Sequence, residues 1–355
     1  MGPTAPETPG WPSVLSGLLS GTDLAAEQTA WVMDQVMSGL ATPAQVAAFA
    51  IALRAKGETA QELSGLVSGM LAHANRLSLP GRAVDVVGTG GDRANTVNIS
   101  SMAAVVTAAA GAPVVKHGNR AASSRCGAAD LLEGLGVAIS LPGPGVAACV
   151  REVGIGFCFA PVFHPSFRHT AGPRREMGVP TVFNFLGPLT NPAQPAAGAI
   201  GCGDPRMAPV MAQVFAERGA DVLLFRGDDG IDELTTTTTS TVWQVRGGTV
   251  TRSTVDPRDL GVAAAPAEAL RGGDVDVNVA VARRVFAGEP GPVADAVALN
   301  AAAALAAHAG LSGDLRADLA GGLQRARSAL AGGAAGELVQ RWVTVSQREA
   351  ASPSS

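Results

Sequence analysis

Between about residues 83 and 250, short apolar runs alternate with helical stretches, and this alternation constrains the fold more than any other feature. The runs predicted to form strands are residues 83–87, 113–116, 136–140, 155–159, 197–201, 221–226 and 242–246. Such alternation is typical of an α/β domain with a largely parallel central sheet and helices on its faces. Because ligand loops gather at the carboxyl ends of these strands, polar motifs that directly follow a strand are the candidate functional residues.

Helical segments flank this α/β region on both sides. Two capping boxes begin helices at Thr42-Pro43-Ala44-Gln45 and Thr59-Ala60-Gln61-Glu62, and Gly57 ends the first of these helices. We predict a disordered tail over 1–10, a helical domain over 11–80, an α/β domain over 81–349 and a tail over 350–355. Helices are also predicted at 295–309 and 315–331, and some of this C-terminal third is expected to pack beside the N-terminal helices.

Composition narrows the class of protein. A hydrophobic content of 47% with 16% charged residues is that of a soluble globular protein, and a net charge of −4 gives no electrostatic footprint for nucleic acid. No apolar stretch free of breakers reaches about 20 residues, and the N-terminus lacks a basic, apolar signal sequence. The four cysteines show no metal-binding spacing and are expected to be reduced and buried. We therefore expect a cytoplasmic protein that binds neither a membrane nor nucleic acid.

The first polar motif, residues 85–101, follows the first predicted strand. Gly88, Gly90 and Gly91 allow backbone conformations in which successive N–H groups point into one hollow, and a helix beginning near Asn98 adds free N–H groups. The spacing matches neither the dinucleotide-binding nor the P-loop pattern. Asp92 places a carboxylate in this anion hollow, which a phosphate accompanied by a divalent metal explains better than a bare phosphate. A tight turn without a ligand is the alternative.

The second motif, residues 115–124, contains one of only two lysines among the 26 basic residues. A lysine retained in such a composition suggests a role for a compact point charge, and Lys116 follows a predicted strand. The alternative is a capped loop in which Ser123 or Ser124 begins the next helix. The other lysine, Lys56, lies beside Gly57 and fits simple capping of a helix C-terminus.

Two further motifs carry charge. Arg168, Arg174 and Arg175 offer a bidentate clamp for a carboxylate, although three such arginines also fit a solvated basic face. Four carboxylates follow the strand at 221–226 and suit Mg²⁺, although a surface acidic turn is the alternative. These carboxylates belong to Asp228, Asp229, Asp232 and Glu233.

Taken together and in this order, the motifs resemble those of the anthranilate phosphoribosyltransferases of tryptophan biosynthesis. The matching motifs are Gly88-Thr-Gly-Gly-Asp92, Asn98-Ile-Ser-Ser101, Lys116-His-Gly-Asn119-Arg120, Phe183-Asn-x-Leu-Gly-Pro-Leu-Thr-Asn-Pro192 and Asp229-Gly-Ile-Asp-Glu233. The resemblance runs from about residue 14 to 345. It implies a helical domain joined to an α/β domain of the nucleoside phosphorylase and phosphoribosyltransferase type, a homodimer, and transfer of phosphoribose from phosphoribosyl pyrophosphate (PRPP) to anthranilate.

The resemblance also implies site residues. Those for PRPP are Gly88, Gly91, Asp92, Thr96, Asn98, Ile99, Ser100, Ser101, Lys116, His117, Gly118, Asn119, Arg120, Ala121, Ala122, Ser123, Ser124 and Ala128. Those for anthranilate are Gly88, Asn119 and Arg174, and those for Mg²⁺, with two ions expected per subunit, are Ser100, Asp232 and Glu233. The chain departs from the family at Ala128, where relatives commonly carry a serine, so a phosphate contact there would fall to the backbone or to Ser124.

Two alternatives remain at this stage: a pyrimidine-nucleoside phosphorylase of similar fold, and a non-catalytic relative that binds nucleic acid. Arg174 and the Asp232-Glu233 pair favour the transferase, and the net charge disfavours nucleic acid. The amine of anthranilate is neutral at pH 7, so the reaction requires no strong general base, and the sequence offers no obvious catalytic one. The protein's expected contribution is stabilisation of the leaving pyrophosphate together with positioning.

Overall fold

The computed structural model describes residues 10–121 and 125–352. The first helices are α1 (Trp11–Leu19), α2 (Ala26–Met37), α3 (Pro43–Lys56) and α4 (Ala60–Ala72). The middle helices are α5 (Ile99–Ala109), α6 (Ala128–Gly134), α7 (Gly143–Val153), α8 (Ala160–Phe163), α9 (Ala171–Met177), α10 (Leu186–Leu189) and α11 (Met207–Glu217). The last helices are α12 (Val275–Phe286), α13 (Pro292–Ala309), α14 (Leu315–Ala331) and α15 (Ala334–Ala351). The strands are β1 (Val84–Gly88), β2 (Val114–Gly118), β3 (Ile155–Phe159), β4 (Ala197–Gly201), β5 (Asp221–Gly227), β6 (Ser240–Arg246) and β7 (Thr249–Val255).

The chain forms two compact units, one helical and one α/β. The helical unit contains Met1–Ala74 and His164–Thr190, and the α/β unit contains Asn75–Phe163 and Asn191–Ser355. The segment that groups with the N-terminal helices is therefore 164–190, whereas the C-terminal helices lie in the α/β unit. Within the predicted tails, residues 1–9 and 353–355 lie outside the described residues, and α15 continues to Ala351.

Local capping chemistry explains where the helices of the helical unit begin. The Thr42 hydroxyl accepts from the Gln45 N–H, the Thr59 hydroxyl accepts from the Glu62 N–H, and both reciprocal bonds are present, so both predicted capping boxes are confirmed. Lys56 does more than cap α3. Its ammonium donates to Asp23 at 2.6 Å and to the fully buried Glu62 at 3.0 Å, which joins the connection before α2 to α4.

The α/β unit is built on one seven-stranded sheet in the order β3-β2-β1-β4-β5-β6-β7. Strands β1 to β5 are parallel, and β6 and β7 are antiparallel additions at one edge. Most residues of the parallel strands are buried, because helices cover both faces of such a sheet. This arrangement confirms the predicted helical domain joined to a larger α/β domain with a mostly parallel sheet.

Two alanine-rich helices form the centre of the α/β core. Helix α5 packs against β1, and α13 packs against α5, α14 and β4. Within the described residues, α13 is the one helix long and apolar enough to cross a membrane by length and composition, and 67% of it is buried inside the protein. A helix that is apolar on all sides and surrounded by other elements is a core helix.

The predicted strand at 136–140 is wrong. Residues 137–142 form a connection without regular secondary structure between α6 and α7, in which Val137 and Ile139 are buried in the core. The Ala138 N–H donates to the Ser346 hydroxyl of α15 at 3.1 Å, not to a neighbouring strand. Burial alternates here in a connection that contacts helix α15, so alternation by itself does not show that a strand has a hydrogen-bonded partner.

Strand β7 was not predicted, because most of its side chains are exposed and it carries no hydrophobic pattern. The usable signal is Gly247-Gly248, whose φ angles of 54° and 76° fit the two central residues of a tight hairpin turn between β6 and β7.

Candidate active site

The candidate site lies in the α/β unit, where the order of the strands reverses between β1 and β4. Gly88 and Gly201, the last residues of these strands, are register partners. Open parallel sheets bind ligands in the crevice beyond the carboxyl ends of strands at such a reversal. The glycine-rich motif after β1 and the acidic motif after β5 therefore reach the same end of the sheet.

The two glycines at this reversal make room for Asp232. A Cβ at Gly88 would lie 2.1 Å from Asp232 Oδ2, and a Cβ at Gly201 would lie 1.5 Å from the Asp232 carbonyl oxygen. The Asp232 carboxylate accepts a hydrogen bond from the Gly90 N–H at 2.6 Å, which joins the two motifs across 142 residues of sequence. Gly201 was missed by the sequence analysis, since a glycine that ends a strand is not distinctive without knowledge of the residue above it.

Three carboxylates converge beside this contact. Asp92, Asp232 and Glu233 each offer an oxygen, and these oxygens lie within 4.8 Å of one another. Burial raises the pKa of Asp232 to about 6, and the negative charge of Asp92 adds to the shift. Burial raises the pKa of Glu233 well above its usual value, and the negative charges of Asp232 and Asp92 add to the shift. Glu233 Oε2 is buried without a hydrogen-bond partner among the described residues.

Buried like charges with an unsatisfied oxygen are costly unless a cation joins them. Oxygen ligands in a carboxylate-rich set suit a hard divalent cation such as Mg²⁺. The residues present therefore fit a magnesium site, and Asp92 joins the predicted pair of Asp232 and Glu233. From the sequence, Asp92 indicates a phosphate that arrives with a metal and is placed in the PRPP set. That it lies beside Asp232 and Glu233 depends on the order of the strands in the sheet.

The other two carboxylates of the acidic motif do not join this cluster. Asp228 accepts hydrogen bonds from the hydroxyls of Thr239 and Thr241, and Asp229 accepts from those of Thr235 and Thr237. The threonine run after the motif therefore supplies hydroxyl donors that hold the acidic turn. Of the four carboxylates in the acidic motif, only those of Asp232 and Glu233 lie beside Asp92 among the described residues.

Lys116 lies beneath the glycine-rich motif. Its side chain is buried, its ammonium donates to the Val86 carbonyl, and Asp85, Glu233 and Asp232 supply the neighbouring negative charge. Burial lowers the pKa of Lys116 to about 8, and these charges oppose the shift. The ammonium is therefore a buried cation between Asp85 and the acidic cluster, and the contact of Lys116 with PRPP stays a prediction.

Asn191, which precedes Pro192 in the Asn-Pro motif, forms a buried hydrogen-bond network with Asp85. Asn191 donates from its side-chain amide to Asp85 Oδ2 and to the Val115 carbonyl, both at 2.8 Å. Asp85 Oδ1 accepts from the His117 N–H at 3.2 Å. Burial raises the pKa of Asp85 to about 6, and the positive charge of Lys116 opposes the shift. This network ties β1 to β2 directly below the candidate site.

We expect Lys116→Arg to lower kcat/KM for PRPP by at least about tenfold, since a broad guanidinium fork cannot replace a compact buried ammonium. The measurement is initial rate against PRPP concentration. Lys56→Arg is the matched control, because Lys56 is the other lysine and also pairs with a buried carboxylate, but in the helical unit. If kcat/KM for PRPP stays within about twofold of the parent value in both the Lys116→Arg and the Lys56→Arg variants, the compact charge of Lys116 has no role in the use of PRPP.

Several of the residues predicted to bind PRPP lie at or just before the start of α5. Thr96, Asn98 and Ser100 are half-buried. The Ser101 hydroxyl is buried without a hydrogen-bond partner among the described residues. The side chain of Ile99 lies in the core, and its N–H donates to the Val97 carbonyl at 2.7 Å.

The second motif is held by one acidic residue. Asp130 accepts from the backbone N–H groups of Ala121 and Gly127 at 3.0 and 2.9 Å, and Arg120 pairs with Asp130 and Glu133, both at 2.8 Å. Asn119 is exposed. The predicted contacts of Ala122, Ser123 and Ser124 lie outside the described residues.

Close packing surrounds the position at which this chain departs from the family. A Cβ at Gly118 would lie 2.9 Å from the Phe157 ring and 3.3 Å from the Ala128 Cβ. Gly118 therefore allows β2 to approach both side chains closely.

Arg174 is described within the helical unit. It lies on α9, and it is half-buried while Arg168 and Arg175 are exposed. Its guanidinium stacks 5.4 Å from the centroid of the Phe167 ring. Burial lowers the pKa of Arg174. Among residues 10–121 and 125–352, the guanidinium has neither an ion pair nor a hydrogen bond, so a partly desolvated cation is left for an anionic partner.

The similarity of this chain to known proteins shows first its class and then its family. Residues 12–74 match the family described as glycosyl transferase family, helical bundle domain, and residues 80–336 match glycosyl transferase family, a/b domain. The chain is thus a glycosyltransferase. It is 63% identical over 332 residues to the anthranilate phosphoribosyltransferase of Saccharopolyspora erythraea, covering 94% of this chain and 95% of that protein.

Solved structures agree. The anthranilate phosphoribosyltransferase of Thermus thermophilus has a TM-score of 0.88 at 41% identity, covering 94% of this chain and 99% of that one. The Saccharomyces cerevisiae enzyme in complex with PRPP and Mg has a TM-score of 0.86 at 25% identity, covering 95% of this chain and 98% of that one. The chain belongs to the anthranilate phosphoribosyltransferase family. The resemblance drawn from the motifs is confirmed, and the nucleoside phosphorylase and nucleic-acid-binding alternatives are set aside.

Proposed function

We propose that this chain transfers the phosphoribosyl group of PRPP to the amine of anthranilate, with Mg²⁺ bound at Asp92, Asp232 and Glu233. The convergence of these three carboxylates at the reversal of the sheet carries the proposal. The anthranilate nitrogen forms a bond to C1 of the ribose, the bond from C1 to the pyrophosphate oxygen breaks, and the nitrogen loses a proton. The products are N-(5-phosphoribosyl)anthranilate and pyrophosphate.

The residues of this chain act by binding and positioning. Bond breaking builds negative charge on the pyrophosphate, and preorganised N–H groups and cations lower the cost of that charge. The positive-φ glycines Gly90 and Gly91 shape the hollow after β1, and the half-buried Thr96, Asn98 and Ser100 line the start of α5. Bound Mg²⁺ supplies positive charge for the phosphate oxygens. We keep Ser100 as a proposed metal ligand, with two ions per subunit.

Anthranilate adds a carboxylate to the recognition problem. We assign that carboxylate to Arg174, which is half-buried, stacks on the Phe167 ring and has no acidic partner among the described residues. An arginine fork can bind a carboxylate through two parallel hydrogen bonds. Asn119 and Gly88 complete the proposed anthranilate set.

We further propose a cytoplasmic homodimer. The helical unit exposes the large apolar side chains of Leu19, Leu40 and Ile51, which are 81%, 66% and 43% exposed. Sedimentation of the purified protein over a range of concentrations tests the dimer, and a monomer at micromolar concentration contradicts it.

A coupled assay tests the function. Purified protein, PRPP and Mg²⁺ are mixed with anthranilate, and loss of anthranilate fluorescence is followed alongside release of pyrophosphate. We expect both signals with a one-to-one stoichiometry, and neither in excess chelator. Aniline, which lacks the carboxylate, and benzoate, which lacks the amine, are the matched substrate controls. Release of pyrophosphate without loss of anthranilate fluorescence contradicts the proposed acceptor.

A further inference from the structure

The loop between β1 and α5 holds an unusual backbone conformation. Arg93 and Asn95 have φ angles of 61° and 53°, in the left-handed region that residues with a Cβ rarely occupy. Such conformations persist only where the surrounding structure determines them. Because this loop carries Asp92 and leads to Asn98, whatever holds it also places candidate ligands for PRPP and Mg²⁺.

A segment remote in sequence holds this loop. Residues 270–278, here called the bracing segment, run antiparallel to the loop through a bridge between Thr96 and Arg271. The Val97 N–H donates to the Leu270 carbonyl at 2.9 Å, and the Gly272 N–H donates to the Asn95 carbonyl at 2.8 Å. The backbone of the bracing segment therefore fixes the loop on both sides of Thr96.

One buried side chain extends this connection to Asn98. Asn278 is 3% exposed, and its amide donates to Asn98 Oδ1 at 2.8 Å while its own oxygen accepts from the Gly273 N–H at 2.8 Å. Asn98 in turn donates to the Cys126 carbonyl at 3.0 Å. Both polar atoms of the Asn98 amide are therefore held, and its orientation is set by Asn278 on one side and by the Cys126 carbonyl on the other.

The bracing segment also approaches the loop too closely for a side chain. A Cβ at Gly272 would lie 2.7 Å from the Thr96 carbonyl oxygen and 3.0 Å from Asn278 Oδ1. Since the first of these atoms belongs to the backbone, a methyl group there requires the loop to move. The contact therefore depends on a glycine as well as on the asparagine.

We propose that Asn278 is a positioning residue for PRPP, which acts through Asn98 and the loop that carries Asp92. This inference rests on the proposed function, since it takes Asn98 as part of the PRPP set. Asn278 itself is buried and its side-chain hydrogen bonds go to Asn98, Gly273 and the Cys126 thiol, so its effect on PRPP is transmitted through other residues of the protein, Asn98 among them.

The first test is a double-mutant cycle on KM. We expect Asn278→Ala to raise KM for PRPP by about tenfold, because the loop and the Asn98 amide lose a buried hydrogen bond, while KM for anthranilate changes by less than about twofold. In an Asn98→Ala background, Asn278→Ala should add less than about twofold, since residues that act through one contact are not additive. Full additivity of the two substitutions overturns the proposal.

Ser346→Ala is the matched control for stability. It also removes a buried side-chain hydrogen bond, but the donor is the Ala138 N–H in the connection between α6 and α7, not a group of the loop or of the bracing segment. We expect it to lower Tm with unchanged KM for PRPP. An equal rise of KM in Ser346→Ala would show a general loss of stability and would overturn the positioning role.

Hydrogen exchange gives a readout without catalysis. Asn278→Ala should speed exchange in the peptide covering 89–99, and Ser346→Ala should not. If Asn278→Ala does not fold, Gly272→Ala supplies the second variant, with the same expected loss of protection and rise of KM. An inactive parent enzyme contradicts the proposed function. If the parent enzyme is active but the variant shows unchanged exchange in residues 89–99 and an unchanged KM for PRPP, only the positioning role of Asn278 is contradicted.

Discussion

The double variant Asp232→Asn with Glu233→Gln is expected to raise the Mg²⁺ concentration for half-maximal rate and to lower kcat, each by at least about tenfold. Both carboxylates are buried beside Asp92, and their amides keep the shape but lose the charge that attracts a cation. The measurement is initial rate against Mg²⁺ concentration at saturating PRPP. Because like charges are removed from a buried site, we expect Tm in excess chelator not to fall.

The neighbouring acidic pair provides the matched control. Asp228→Asn with Asp229→Asn removes the same number of charges from the same turn, but these side chains are exposed and accept from threonine hydroxyls. The control should leave the Mg²⁺ dependence unchanged and lower Tm through loss of the hydroxyl contacts. Unchanged Mg²⁺ dependence in the Asp232 and Glu233 variant would remove these residues from the metal site.

The second large effect is expected at Arg174. Arg174→Ala should raise KM for anthranilate at least about tenfold, in keeping with the roughly 1.5–3 kcal/mol of a charge-assisted hydrogen bond. KM for PRPP should barely change. The physical reason is that a half-buried guanidinium without an acidic partner loses less hydration when it binds a carboxylate than an exposed one does.

Arg175→Ala is the natural comparison, because Arg175 follows Arg174 on the same helix but is exposed. Successive residues of a helix are rotated by about 100°, so the two side chains cannot share a face. We expect little effect from Arg175→Ala. Equal effects at both positions would indicate a general electrostatic field, and a larger effect at Arg175 would reverse the assignment.

Where the sequence analysis succeeded, short-range chemistry was decisive. The capping boxes at Thr42 and Thr59 are confirmed because hydroxyl, amide and carboxylate partners lie within three residues of each other. The first parallel strands are confirmed because burial on both faces requires continuous apolar runs. The strand at 136–140 failed because its alternating burial reflects packing on helices, and β7 was missed because an exposed edge strand has no apolar pattern.

The candidate site shows the same division. Local sequence determined which residue types follow each strand, and hence that phosphate, a metal and a carboxylate were the plausible ligands. The local sequence left open which acidic side chains lie beside one another in the folded protein. The strand order placed Asp232 over Gly88 and Gly201, brought Glu233 to Asp92, and left Asp228 and Asp229 with the threonines. Likewise, Asn278 reaches Asn98 across 180 residues of sequence. Such contacts depend on how strands pair and how helices cover them, and that is settled by the packing of the entire α/β unit, since no local propensity distinguishes one buried carboxylate or amide from another.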